Sequence, residues 1–308
     1  MTLAMTTSPN DSLVAAPRDQ PSQAKPQIVF IASLSHSGST LLDLMLNAHP
    51  QVVSVGELKQ LSRYARSARA QGRRARCTCG AQNLGACPFW GLVGAIAESR
   101  TGQSLSDLNV ADYANVTSFD RDNALLFDSI AAASDKGHIV DSSKHIVRLE
   151  LLIANPELDI FPIFLIREPG GQISSSLRKN TKYAKLELGK SPAGLLRLIT
   201  RYVGTNRRIH KLIKHRPHAV VRYEELALNP ERALSPVMQQ LGLTFHPLQL
   251  QWATQERHNI GGNNMRFGDS SELRLDEHWR KKLTLVQKLA IDAGTLPGRY
   301  PFVKLGLS

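Results

Sequence analysis

Three stretches of the chain are apolar without interruption. Ile28-Val29-Phe30-Ile31-Ala32 lacks polar alternation, the pattern of a strand buried on both faces of a parallel sheet. Ile160-Phe161-Pro162-Ile163-Phe164-Leu165-Ile166 repeats it, Ala219-Val220-Val221 is a shorter version, and Ile139-Val140 before Asp141 reads as a further short strand. Polar loops and helical spacing follow. After Ser33–Ser39, Leu41, Leu42, Met45 and Leu46 recur at helical intervals until His49-Pro50 ends the pattern. After Arg167-Glu168-Pro169-Gly170-Gly171 come Ile173 and Leu177. After Arg222-Tyr223, Asn229-Pro230-Glu231 reads as the N-cap, first-turn proline and first-turn acid of a helix. Its apolar side is Leu234, Val237, Met238 and Leu241, and Gly242 stops it.

The longest helix is predicted over 193–214, with Leu195, Ile199, Tyr202, Ile209 and Ile213 on one face and Arg197, Arg201, Arg208 and Lys211 on the other. Residues 105–133 are predicted to form helices bordering a pocket. Strands and helices in this order predict a three-layer α/β domain over 27–308 with a mainly parallel sheet. Residues 1–26, rich in Ser, Pro, Gln and Ala, predict a disordered tail. Such folds bind ligands at the carboxyl ends of strands, where the polar loops fall.

Composition narrows the possibilities. A hydrophobic share of 42% in 308 residues is that of a globular core and excludes a wholly disordered or collagen-like chain. No apolar run approaches the ~20 residues of a membrane-spanning helix. The tail has no continuous apolar block after a basic start, which argues against a secretory signal. Three cysteines make no disulfide framework, so a cytoplasmic setting is expected. The net charge of +12 attracts polyanions: nucleic acid, anionic lipid, or a phosphorylated or sulfated small molecule. No helix-turn-helix, RNP or zinc-finger pattern supports nucleic acid, and nucleic-acid binding stands only as a minor alternative.

Aligned with the phosphate loop G-x-x-x-x-G-K-[ST], the segment Ser33-Leu34-Ser35-His36-Ser37-Gly38-Ser39-Thr40 keeps the second glycine and the final hydroxyl. It has Ser33 for the first glycine and Ser39 for the lysine. Small residues, backbone N–H groups and a helix N-terminus suit a phosphate. The missing lysine weakens the alternative of a kinase using ATP-Mg. A second anion grip is expected at Arg167, which follows a strand, and at Ser175 on the next helix. Two grips imply a ligand with two phosphate-like ends, and they are expected to face each other across a gap the width of an adenosine.

These residues resemble the sulfotransferases that use 3′-phosphoadenosine 5′-phosphosulfate (PAPS). Ser35-His36-Ser37-Gly38-Ser39-Thr40-Leu41-Leu42 is similar to their 5′-phosphosulfate loop, and Ile166-Arg167-Glu168-Pro169 with Ser175 to their 3′-phosphate segment. Val221-Arg222-Tyr223-Glu224-Glu225-Leu226 with Pro230 resembles a block whose Tyr often lies near the adenine. His258-Asn259-Ile260-Gly261-Gly262-Asn263 with Met265-Arg266, and later Trp279, resembles the tail of bacterial members. The resemblance implies the P-loop-like fold of sulfotransferases and nucleotide kinases, with PAPS as donor and PAP as product. It places Ser35, His36, Ser37, Gly38, Ser39, Thr40, Arg167, Ser175, Tyr223 and Arg266 around the donor. His36 stands where many members carry a Lys or Arg that steadies the leaving charge; a histidine does so with one N–H, or as a cation below its pKa of about 6.5.

Transfer to a hydroxyl needs a base and cations around the moving group. Glu57 is the expected base, since its stretch resembles that of the protein-tyrosine sulfotransferase branch with a catalytic Glu; His145 is the rival. Lys144 is expected to supply positive charge. Asp141 also mimics the magnesium-binding acid of a nucleotide hydrolase, but sulfuryl transfer has no obligatory metal and none is expected. The acceptor is left open among a carbohydrate, a lipid headgroup, a metabolite and a peptide tyrosine. Arg63, Arg66, Arg69, Arg73, Arg74 and Arg76 form a basic run, read as a solvated helix face, a flap over the donor or a landing strip for an acidic acceptor. Cys77, Cys79 and Cys87 follow as C-x-C-x7-C: a structural clip, a disulfide or a partial metal site, since zinc needs a fourth ligand and no His lies close in sequence.

Overall fold

The computed structural model describes residues 25–66, 76–177 and 191–303, with side chains to residue 296. The tail expected over 1–26, apart from Lys25 and Pro26, and Arg69, Arg73 and Arg74 of the basic run lie outside the described residues.

Five parallel strands form one sheet: β1 (Gln27–Ala32), β2 (Val52–Gly56), β3 (His138–Asp141), β4 (Asp159–Ile166) and β5 (Ala219–Arg222), in the order β2-β3-β1-β4-β5. Alternate residues of β1 serve opposite faces of the sheet. Ile28, Phe30 and Ala32 join a core with Trp90, Phe119, Phe127, Leu149 and Ile209, whereas Val29 and Ile31 join one with Leu42, Met45, Leu226, Val237 and Trp252. Helices therefore cover both faces, as the apolar runs require. On the first side lie α3 (Pro88–Thr101), α4 (Val116–Ser134), α5 (Ile146–Ala154) and the end of α7 (Pro192–Ile213). On the second lie α1 (Ser39–Asn47), α8 (Tyr223–Leu228) and α9 (Pro230–Gln240). The short α2 (Leu61–Ala65) follows β2, and α6 (Pro169–Ser176) packs with the start of α7 in a third cluster around Ile173, Leu198 and Tyr202. The chain then runs into α10 (His278–Lys282) and α11 (Leu285–Val303). No described helix is long and apolar enough to cross a membrane.

Pro162 sits inside β4 opposite Phe30 of β1 without breaking the sheet, one residue before the pairing with β5 begins at Ile163. Asn229 precedes Pro230 at the N-cap position as expected, but its side chain caps nothing. It also ends α8, a turn absent from the sequence reading, and the backbone there serves the preceding helix.

Candidate active site

All five strands run the same way, so the residue after each one emerges at a single edge. His36 lies four residues beyond β1, Glu57 directly follows β2, Lys144 is three beyond β3, Arg167 directly follows β4 and Tyr223 directly follows β5. Five candidates spread over nearly 190 positions thus meet at one rim of the sheet.

The β1–α1 loop exposes Ser35 and His36 and buries Ser37 and Ser39. Gly38 is the N-cap of α1 at φ 90° and, having no side chain, sets no cap of its own between the first-turn amides and an anion. Ser33 Oγ, also buried, has no hydrogen-bond partner among the described residues. A small-residue cradle with a buried hydroxyl and first-turn amides fits a phosphate group. Gly38 is required twice over: its φ lies in the left-handed region, and a Cβ there would come 2.4 Å from Tyr223 Cδ2. Gly38→Ala is expected to cost about 1–2 kcal/mol from the backbone alone, plus the displacement of the ring. Urea unfolding checks this, and Tyr223→Ala should restore part of the loss in a double-mutant cycle. An unchanged midpoint would exclude this packing.

Arg167 binds the two loops together. Its guanidinium lies 4.4 Å from the centre of the Tyr223 ring, Nη1 donates to the His36 carbonyl at 3.1 Å, and Nη2 reaches the Asp276 carbonyl and carboxylate, each at 3.1 Å. The expected adenosine-wide gap between this side chain and the loop is absent. The loop carbonyl, the aromatic face and the Asp276 charge draw the guanidinium onto the loop itself. A Cβ on Gly171 would stand 2.8 Å from Arg167 Nε, and Ser175, buried, is one turn further along that face of α6. Gln172 Nε2 ties α6 to the Ser35 carbonyl at 3.0 Å, and the Tyr202 hydroxyl donates to the Arg167 carbonyl at 2.8 Å.

On the other side of the loop, Glu57 forms a 2.6 Å ion pair with Lys144 and lies 3.8 Å from Lys59 Nζ. Burial pushes the Glu57 carboxyl up, but Lys144 and Lys59 outweigh it and hold the carboxyl below its ordinary range. Lys59 is lowered by burial, against the pull of Glu57. The segment from Ile260 to Asn263 connects Glu57 to the loop. Glu57 N donates to the Ile260 carbonyl at 2.8 Å, a Cβ on Gly261 would meet Glu57 Cβ at 2.9 Å, and Asn263 N donates to Thr40 Oγ1 at 3.3 Å. Beneath it Asp43 accepts from Ser54 Oγ at 2.5 Å and Asn259 Nδ2 at 2.7 Å; burial pushes its carboxyl up to about 7, with Ser54 and Lys144 opposing. Of three described non-glycine residues at positive φ, two are His36 (70°) and Lys144 (60°). Such backbone outliers concentrate at functional sites.

Three expectations change. Arg266, expected beside the donor, is buried: it donates to the Asn259 carbonyl at 2.6 Å and stacks on Phe267, so it braces the Ile260 segment from behind. Asp141, the mimic of a magnesium ligand, is closed off. Its Oδ2 pairs with Arg148 Nε at 2.8 Å with both side chains fully buried, and Oδ1 accepts from Ser143 N. His145 occupies the N-cap position of α5 without a side-chain cap bond, its ring stacks on Tyr113 at 4.8 Å, and burial, then Lys59 and Arg148, lower its pKa. Sequence reasoning missed Asp276, Lys59, Gln172, Asp43 and Ser54, none of which belongs to a recognisable short motif, and gave Asn259, though part of the tail pattern, no role of its own.

The profile of the sulfotransferase family matches residues 26–247, a span that contains β1 through β5 and most of the residues just described. The chain belongs to the sulfotransferase family. Among solved structures this sulfotransferase is similar to the sulfotransferase domain of the Synechococcus PCC 7002 olefin synthase, at 21% identity and TM-score 0.54, covering 88% of this chain and 96% of that one. It is also similar to the sulfotransferase domain from the curacin biosynthetic pathway, at 19% identity and TM-score 0.54, covering 88% and 98%. Both likenesses concern the fold. No curated protein sequence matches the sulfotransferase.

Proposed function

We propose that this sulfotransferase passes a sulfuryl group from PAPS to a hydroxyl and releases PAP. The observation that carries the reading is the Tyr223 ring, which packs against Gly38 and under Arg167 and so brings the two expected anion grips to one place. Ser35, Ser37, Ser39, Thr40 and the first-turn amides of α1 would hold the 5′ end of the donor. Arg167 and Ser175 would hold its 3′-phosphate, with Tyr223 near the adenine. When bound, PAPS supplies the activated sulfuryl group.

The chain's own residues then have separable tasks. Glu57, kept ionised by Lys144 and Lys59, accepts the proton of the acceptor hydroxyl. Lys144 sets a cation beside that oxygen, and His36 directs an N–H toward the charge that develops on the leaving side. A cavity of about 560 Å³ is lined by Lys59, the neighbour of Glu57, and by Arg63, Arg66, Asp107 and Val110, and would receive the acceptor. Its three cations suit an acceptor carrying negative charge, whether a carbohydrate, lipid headgroup, metabolite or peptide. Three cysteines, too few for a disulfide framework, suit a reducing, cytoplasmic setting.

Thermal-shift measurements with PAP, ATP-Mg and single-stranded RNA at two salt concentrations test the donor. Stabilisation by PAP without metal is expected; a response to ATP-Mg alone would replace this reading with a kinase. In calorimetry, Arg167→Ala should bind PAP roughly 10- to 150-fold more weakly, the loss of one charged hydrogen-bonding partner. His36→Ala should keep PAP affinity and lose turnover. Wild-type PAP affinity in Arg167→Ala would sink the assignment of the 3′-phosphate.

A further inference from the structure

Cys77, Cys79 and Cys87 are joined in space by His258, a residue 171 positions beyond Cys87. The four ligating atoms all lie within 4.8 Å of one another. Cys79 Sγ is 3.5 Å from Cys87 Sγ, Cys87 Sγ is 3.6 Å from Cys77 Sγ, and His258 Nδ1 is 3.3 Å from Cys87 Sγ and 3.8 Å from Cys77 Sγ. Zinc with bonds of about 2.3 Å to sulfur and about 2.0 Å to nitrogen requires tetrahedral edges of roughly 3.5–3.8 Å. Three of these four separations fall on those edges and the fourth, 3.3 Å, is slightly shorter, while the remaining two lie within 4.8 Å.

From this we infer a structural zinc site built of Cys77, Cys79, Cys87 and His258, separate from the transfer chemistry. The surroundings are those of a metal ligand set. His258 Nε2 lies 3.0 Å from Glu256 Oε1, so a proton on Nε2 donates to the carboxylate and the Nδ1 lone pair faces the sulfurs. Phe89 stacks on the imidazole at 5.2 Å and so orients the ring, and Trp90 Nε1 donates to the His258 carbonyl at 2.8 Å and so holds its backbone. Cys87 is the N-cap of α3, a 14-residue helix whose amino end favours a thiolate. Cys77 and Gly80 close a tight turn, with Gly80 N donating to the Cys77 carbonyl at 3.1 Å. Cys77 and Cys87 are buried and Cys79 is exposed, which gives an ion a route in from solvent.

A disulfide explains this cluster less well. It would join two sulfurs and leave a third thiol and an imidazole nitrogen aimed at them without purpose. Four protein ligands and no open position make the site structural rather than catalytic. On binding, each thiol releases its proton and the ion takes the three thiolates and the neutral imidazole. The ion would tie the Cys77–Cys87 loop to the chain just before Asn259 and Ile260. Those two residues bond to Asp43 and Glu57, so the ion anchors one wall of the active site from outside it.

Elemental analysis of the full-length protein, purified under reducing conditions without added metal, should find about one zinc per chain. Cys87→Ser and His258→Ala should hold only a small fraction of that. Because a ligand substitution can also unfold the loop, a second measurement uses the wild-type chain. Zinc is removed with a chelator and Co(II) is added under reducing conditions; a tetrahedral Co(II) spectrum with thiolate-to-cobalt charge transfer is expected. Full zinc content in both variants would overturn the site. So would a wild-type chain that contains no stoichiometric zinc and gives no tetrahedral cobalt spectrum, iron in place of zinc, or an intact mass lower by two hydrogens with no metal bound.

Discussion

Glu57→Gln is expected to lower kcat by roughly 10²- to 10⁴-fold, the usual contribution of a positioned general base, while PAP affinity changes little. Kinetics run alongside titration with PAP separate a chemical role from a disturbed fold, and an undiminished kcat would remove Glu57 from the reaction. The pH profile adds a second check with a definite sign. Only the ionised carboxylate accepts a proton, so activity is lost as pH falls through the pKa of folded Glu57. Burial raises that pKa, but Lys144 and Lys59 together bring it below the ordinary 4.5, so the acid limb sits below the usual carboxylate range. Lys144→Met leaves burial opposed mainly by Lys59, 3.8 Å away, and the limb should move toward neutrality. A limb unmoved by Lys144→Met would mean that another group titrates.

The second large effect concerns stability. Asp141→Ala leaves the Arg148 guanidinium in the core without its carboxylate, a loss of about 3–5 kcal/mol. For a chain of this size that lowers the melting temperature by something of order 10 °C. Asp141→Ala with Arg148→Met should recover much of it, because no buried charge is then left uncompensated. Thermal unfolding of the wild type and both variants decides the matter. Asp141→Ala melting with the wild type would show that the pair holds nothing, and magnesium sensitivity lost with Asp141 would revive the kinase alternative.

Much of the sheet was legible because its central strands are buried on both faces. β1 and β4 are continuous apolar runs for that reason, and β3 and β5 were visible in shorter form. β2 escaped notice because Ser54 interrupts it. That serine is fully buried, yet it is satisfied by Asp43 and Asn259, partners far away in sequence. The active-site loops were legible for a different reason: small residues and an arginine at strand ends carry a local pattern. What stayed hidden depends on distant pairing. Asp276 reaches Arg167 from 109 residues away, and His258 reaches the cysteines from the far end of the chain. The helix α8 was missed because one turn between a strand and Pro230 has too few positions to show a period.

The contact between Arg167 and Asp276 makes the resting molecule its own competitor. Any ligand seated on that guanidinium from the same side must first evict a carboxylate held there by the chain. Measured affinity is then a difference between two occupied states rather than the strength of one. Weak singly charged anions start at a disadvantage, and a ligand with anchoring points elsewhere along the rim is favoured over one that has none.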